Sequence, residues 1–190
     1  MEKIPLYFYR NEVIDVAKAL LGKSLFTCID GALTGGTIIE TEAYTGVNDR
    51  ASHSYNNRRT PRTEVMYQSG GVAYVYLCYG IHHLLNVITG EEGTPQGVLI
   101  RAIQPTHGVD TMLKRRKKKT PDKTLTNGPG ALSAALGVTL DQYGISLDSE
   151  TLWIADSGFS PDQIIAGPRI GVDYAGEDAL LPYRFRIGFC

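Results

Sequence analysis

Hydrophobic spacing changes several times along this chain, and each change marks an element. Val13, Val16, Ala17, Leu20 and Leu21 recur at intervals of three and four residues, the stripe of a helix with one buried face. Asn11 precedes the stripe as a candidate N-cap, and Gly22 follows it as a stop. Residues 25–29 and 33–44 are β-rich runs joined at Asp30-Gly31, a two-residue hairpin signal, and Gly35-Gly36 marks a candidate bulge in the second run. Residues 72–79 and 81–88 flank Gly80, and residues 98–103 add another strand. Val109, Met112 and Leu113 predict a short helix, and Pro129 opens a second that ends before Gly137. Trp153-Ile154 and residues 183–187 read as late strands. Neighbouring runs joined by hairpins imply antiparallel sheet with separate helices, so the spacing predicts an α+β fold.

Composition narrows the partners. No internal repeat or low-complexity linker interrupts the 190 residues, and 43% hydrophobic content supplies one sizeable core, so residues 1–190 are read as a single domain. No apolar window approaches the roughly 20 residues of a spanning helix, and the start Met1-Glu2-Lys3-Ile4-Pro5-Leu6 has no apolar leader segment. A cytoplasmic protein with no membrane partner is expected, associated with the nucleoid if it is bacterial. Cys28, Cys78 and Cys190 form an odd set without a CxxC pair, which favours buried or incidental thiols over a disulfide framework or a zinc site.

A net charge of −1 would argue against nucleic acid if the charge were evenly spread. It is not. Arg58, Arg59 and Arg62 cluster, residues 114–119 form an unbroken cationic block, and acids gather at Glu91-Glu92 and Glu177-Asp178, so one face can be basic. Taken alone, the 114–119 block reads as a solvated helix face or loop.

The chemistry concentrates between residues 39 and 86. Alternation along Glu40-Thr41-Glu42-Ala43-Tyr44 puts Glu40, Glu42 and Tyr44 on one strand face, at the end of a run led by Ile38-Ile39. Tyr74 and Tyr76 share a face; Tyr74 is read as a packing residue with a satisfied hydroxyl. Tyr79 has the opposite parity and abuts Gly80, where a hairpin turns, so its ring should project from a rigid tip, the device that wedges into a base stack. With His53 and Asn86, the stretch joins an acid able to activate water to several flat rings and an amide, a set suited to chemistry on a flat heterocycle. His82 and His83 are adjacent and point to opposite faces, a poor metal pair.

In chain order, Glu40-Thr41-Glu42-Ala43-Tyr44, Ala51-Ser52-His53-Ser54, Thr60-Pro61-Arg62, Tyr74-Val75-Tyr76 with Tyr79-Gly80, Leu99-Ile100-Arg101-Ala102, Thr126-Asn127-Gly128-Pro129 and Gly167-Pro168-Arg169-Ile170-Gly171-Val172 resemble the alkyladenine (3-methyladenine) DNA glycosylase family. The resemblance implies one domain with a curved, barrel-like, mostly antiparallel sheet, peripheral helices and a protruding β-hairpin. It implies Glu42 as the general base for water attacking the sugar C1′ and Arg101 as a group holding that water and the neighbouring phosphate. Tyr44, His53 and Tyr76 would form the base pocket, Asn86 a filter against the exocyclic amine of guanine, and Tyr79 the plug filling the gap in the duplex. Arg58, Arg59 and Arg62 are assigned to the DNA backbone. The implied partner is double-stranded DNA containing damaged purines, met by a monomer needing neither metal nor other cofactor. No lysine stands beside Glu42, so a monofunctional enzyme is expected.

Two rival classes remain from the residues themselves. Glu40, Glu42 and His53 could serve a metal-dependent hydrolase, which chelation would abolish. The tyrosines could instead form a non-catalytic stacking platform for single strands.

Overall fold

The computed structural model describes residues 1–188. Its strands are β1 (Glu2–Lys3), β2 (Ser24–Ile29), β3 (Ala32–Tyr44), β4 (Ala73–Cys78), β5 (His82–Thr89), β6 (Gln96–His107), β7 (Leu152–Asp156), β8 (Ile164–Gly167) and β9 (Arg184–Ile187). The α-helices are α1 (Val13–Ala19), α2 (Val109–Arg115) and α3 (Pro129–Leu136). One curled antiparallel sheet runs β1-β7-β2-β3-β6-β5-β4, with β9 paired to β3 and β8 to β9. The fold is α+β, with the helices at the periphery and the β4–β5 hairpin projecting, as expected from the chain.

The long strand β3 organises the sheet. Along one edge it pairs first with β2, through Ala32 to Thr37, and then with β9, through Glu40 to Glu42; along the other it pairs with β6. Three irregularities interrupt the β3–β6 ladder. At the first, Gly35 and Gly36 oppose His107 and Pro105, so the extra residue, Thr106, lies on the partner strand and not in the glycine pair. Gly36 is fixed by proximity: a Cβ there would lie 2.3 Å from the Gln104 carbonyl oxygen. The other two lie at Ile39 and Arg101 and shape the site.

Leu20, Leu21, Leu25, Ile38, Ile100, Leu132, Leu136 and Phe185 are buried in one cluster. Helix α1 is tied to β3 by the buried Thr41 hydroxyl, which donates to the Ala17 carbonyl at 2.8 Å. The apolar stripe of α1 is buried as its spacing required, but Asn11 is not its cap. A 3-10 turn at Leu6–Arg10 precedes the helix, and the Asn11 amide donates back to Phe8 O at 3.0 Å, leaving Glu12 at the cap position. Asn11 closes the 3-10 turn instead, a local side-chain-to-backbone bond that takes it out of the capping position.

The Asp30-Gly31 turn has positive φ at both residues, 55° and 70°, as a tight hairpin connection requires. Cys28 is a free, exposed thiol, Cys78 is free and half-buried, and Cys190 lies outside the described residues. No helix among the described residues is long and apolar enough to cross a membrane.

Candidate active site

Paired residues of antiparallel strands project to the same face, and one rung of this sheet gathers much of the expected site. Tyr74 opposes Asn86, Asn86 opposes Leu99, Leu99 opposes Glu42, and Glu42 opposes Arg184 across five strands. Glu40 and Tyr44 share the Glu42 face, as alternation predicts, while Thr41 and Ala43 enter the core. Arg101 has no partner in the ladder: Glu40 opposes Ala102 and Thr41 opposes Ile100, so Arg101 is the extra residue of a bulge. The bulge turns its guanidinium onto the acids. Nε donates to Glu40 Oε1 at 3.1 Å and Nη1 to Glu42 Oε2 at 3.2 Å.

Glu42 is 0% exposed. Its Oε2 also accepts from the Tyr44 hydroxyl at 3.0 Å, and its Oε1 accepts from the Ile170 backbone N–H at 2.8 Å. Burial pushes its pKa above the ordinary carboxylate value, and Arg101, the Ile170 N–H and Tyr44 oppose that shift. Burial likewise keeps Tyr44 a neutral phenol, with the Glu42 charge acting in the same sense.

Beside this cluster lies a cavity of about 600 Å³, within the range of small-molecule sites. Tyr44, His53, Tyr74, Tyr76, Asn86, Leu99 and Arg101 line it, together with the start of α3 and residues 170–172. Glu42 sits one layer behind the wall, in contact with the wall residues Tyr44, Arg101 and Ile170. The rings are mutually fixed. His53 lies 4.5 Å from Tyr76, edge to face, and its Nδ1 is 2.8 Å from the Tyr74 hydroxyl. Burial, assisted by Arg62 and Arg58, lowers the His53 pKa to about 4, so the imidazole is neutral at neutral pH. Tyr74 is buried with its hydroxyl satisfied, in keeping with the packing role read from its strand. The buried Asn86 amide donates to Tyr74 O at 3.2 Å.

Tyr79 stands at the cavity mouth on the hairpin tip, 89% exposed. The turn is closed by Ile81 N donating to Cys78 O at 3.1 Å, and Tyr79 itself has φ of 50°. A non-glycine residue in that region costs on the order of 1–3 kcal/mol, so the tip keeps a tyrosine where glycine or asparagine would be less strained. The basic cluster divides: Arg59 is committed to Glu64 at 2.6 Å and lies over Tyr67, Arg62 lies over Tyr76 at 5.9 Å, and Arg58 is exposed. None of the three is in the cavity wall. His82 lines the cavity while His83 does not, and no group of three or more metal-ligating side chains occurs among the described residues.

Several contributors went unread in the sequence. Arg169 and Asp49, both with 0% side-chain exposure, form a buried ion pair. Asp49 also accepts from Thr45 N and Ala51 N, and Arg169 donates to Ala43 O and lies 4.8 Å from the Tyr44 ring centroid. This pair fastens the segments carrying Tyr44, His53 and Ile170 together. Ile170 contributes a backbone N–H, invisible to any side-chain pattern. Tyr174, 70% exposed, and Arg116 complete the cavity rim.

Comparison with known proteins gives the chain its relatives. A protein of Bacillus mycoides (strain KBAB4) named "Putative 3-methyladenine DNA glycosylase" is 51% identical over 95% of this chain and 94% of its own length. Proteins of the same name from Bacillus thuringiensis (strain Al Hakam) and Bacillus cereus (strain ZK / E33L) are 50% and 49% identical, each over 95% of this chain and 93% of its own length. Residues 7–188 match the family described as Methylpurine-DNA glycosylase (MPG). With a family match over nearly its whole length and half its residues shared with these relatives, the chain belongs to the methylpurine-DNA glycosylase family.

Proposed function

We propose that this protein, a monofunctional DNA glycosylase of base-excision repair, extrudes alkylated or deaminated purines from duplex DNA into the 600 Å³ cavity and cleaves their N-glycosidic bond with a water activated by Glu42. Its substrates are of the 3-methyladenine, 7-methylguanine, hypoxanthine and ethenoadenine class. The observation that carries the reading is a buried, strongly hydrogen-bonded carboxylate immediately behind a ring-lined cavity large enough to admit a nucleobase.

A glycosidic bond inside a duplex is out of reach, so the nucleotide must leave the stack at a cost of a few kcal/mol, least for a damaged, poorly paired base. Tyr79 enters the gap as the base departs. Tyr44, Tyr76 and the neutral His53 enclose the base, and a cationic alkylpurine gains roughly 0.5–2 kcal/mol from the ring faces. Asn86, held by Tyr74 O, presents its amide where an exocyclic amine of guanine would clash. The water approaches Glu42 beside Arg101 as the Tyr44 hydroxyl exchanges its contact with Oε2 for one with the substrate. Proton transfer to the carboxylate contributes about 10² to 10⁴ in rate, and its charge stabilises the oxocarbenium-like sugar.

Duplexes bearing hypoxanthine or ethenoadenine, incubated with the protein and treated with alkali, should break at the lesion. Glu42→Gln should reduce the single-turnover rate by at least a hundredfold; cleavage at the unaltered rate would remove Glu42 as the base.

A further inference from the structure

We infer that Arg116 is the main phosphate-binding side chain of the cavity, gripping a phosphodiester that flanks the extruded nucleotide. The inference rests on the reading above that the cavity receives a nucleotide. Among the described residues lining the cavity there are two guanidinium groups, Arg101 and Arg116, and no carboxylate. Arg101 is already neutralised by Glu40 and Glu42. Arg116 has no acidic partner among the described residues: Nη2 makes only a long contact to Thr124 O at 3.5 Å, and Nε is buried without a partner. An unpaired cation with a desolvated donor is costly by itself and well matched to a bidentate anion.

Two other members of the basic run are otherwise occupied. Arg115 turns inward to Thr34, Ala135 O and Ile29 O, and Lys118 pairs with Asp122 at 2.9 Å. Arg116, at the end of α2, is thus the member of the 114–119 run that reaches the cavity. The lining also includes Asn127 and the first turn of α3, which carries no acidic residue and no side-chain cap. Its amides add partial positive charge to the lining. These groups complement the negative strand backbone, while the lining rings complement the base.

The test couples the side chain to one phosphate. A duplex carrying a tetrahydrofuran abasic analogue is prepared with single neutral methylphosphonates at each phosphate flanking the site, and affinities are measured for the unaltered protein, Arg116→Met, Arg116→Gln and Arg116→Lys. The unaltered protein should lose roughly tenfold at one flanking position. Arg116→Met should bind the natural backbone about tenfold more weakly, lose nothing further at that position, and show a salt slope smaller by about one. Arg116→Gln, which can keep the Thr124 contact, serves if the Met variant folds poorly, and Arg116→Lys should recover part of the loss. Full additivity at every flanking position, or unaltered affinity on loss of the charge, would overturn the assignment. Lesion-selective binding by Arg116→Met with the phosphate coupling unchanged would sink only this inference, whereas absence of lesion-selective binding and cleavage by the unaltered protein would sink the function as well.

Discussion

Replacing Arg169 by Met should destabilise the fold far more than a typical substitution. Arg169 and Asp49 have fully buried side chains, and the guanidinium donates through Nη2 to Asp49 Oδ1 at 2.9 Å and Asp178 O at 3.1 Å, and through Nη1 to Asp49 and to Ala43 O at 3.0 Å. Met fills most of the volume but leaves the carboxylate with only the Thr45 and Ala51 amides, at 3.1 and 3.0 Å. Breaking a buried pair from one side costs about 3–5 kcal/mol, because the remaining charge is uncompensated. Asp49→Asn should cost less, since Arg169 would keep the Ala43 and Asp178 carbonyls and the Tyr44 and Tyr183 rings at 4.8 and 5.4 Å. The double variant should fall short of the sum by at least about 2 kcal/mol, the signature of a coupled pair. Equilibrium urea unfolding of all four proteins measures the cycle. Because the pair positions Ile170 N against Glu42, the Met variant should also lose excision rate under conditions where it remains folded. A cost below about 1 kcal/mol for Arg169→Met, or an additive cycle, would refute the claim that this pair holds the site together.

The remaining expectations concern titration and the tip. The folded-state pKa of Glu42 is raised, so the reactive carboxylate is lost as pH falls through a value above that of an ordinary glutamate. Excision of the neutral lesion hypoxanthine should therefore decline on the acid side starting above about pH 4.3, and a single-turnover pH profile whose acid limb lies at or below that value would contradict the burial argument. His53 has its pKa lowered to about 4 in the fold, so its contribution is unaffected above the unfolded value near 6.5 and is lost as pH falls from there towards 4. The loss should amount to roughly 2–3 kcal/mol. Urea unfolding at pH 7 and pH 4.5 should show a smaller acid penalty for His53→Gln than for the unaltered protein; equal penalties would mean that the imidazole is not desolvated. Tyr79→Gly should keep or slightly raise the melting temperature, since φ of 50° suits glycine, while weakening binding to abasic-analogue duplex by at least tenfold. Unchanged affinity would remove Tyr79 as the intercalating group.

Local periodicity was enough to read the helical stripe of α1, the Asp30-Gly31 and Tyr79-Gly80 turns, and the shared face of Glu40, Glu42 and Tyr44, because each depends only on neighbours within a few residues. The N-cap was misjudged at Asn11 because the residue belongs to the end of the preceding 3-10 turn, whose Phe8 carbonyl accepts its amide. Strands β1 and β8 left little trace, being two and four residues long and held by partners distant in sequence.

The site itself was only partly legible. The sequence alone determined which chemical groups are present and, for Glu40, Glu42 and Tyr44, which face of their strand they share. Tertiary structure decided that Tyr74, Asn86, Leu99, Glu42 and Arg184 occupy one rung, because register between distant strands is set by long-range pairing that no local window contains. It also decided that Arg101 faces the two acids, through an extra residue in β6 that strict alternation would have placed elsewhere, and that Ile170 serves by its backbone. The raised pKa of Glu42 follows from the same assembly, for a carboxylate is desolvated only by the segments that close over it.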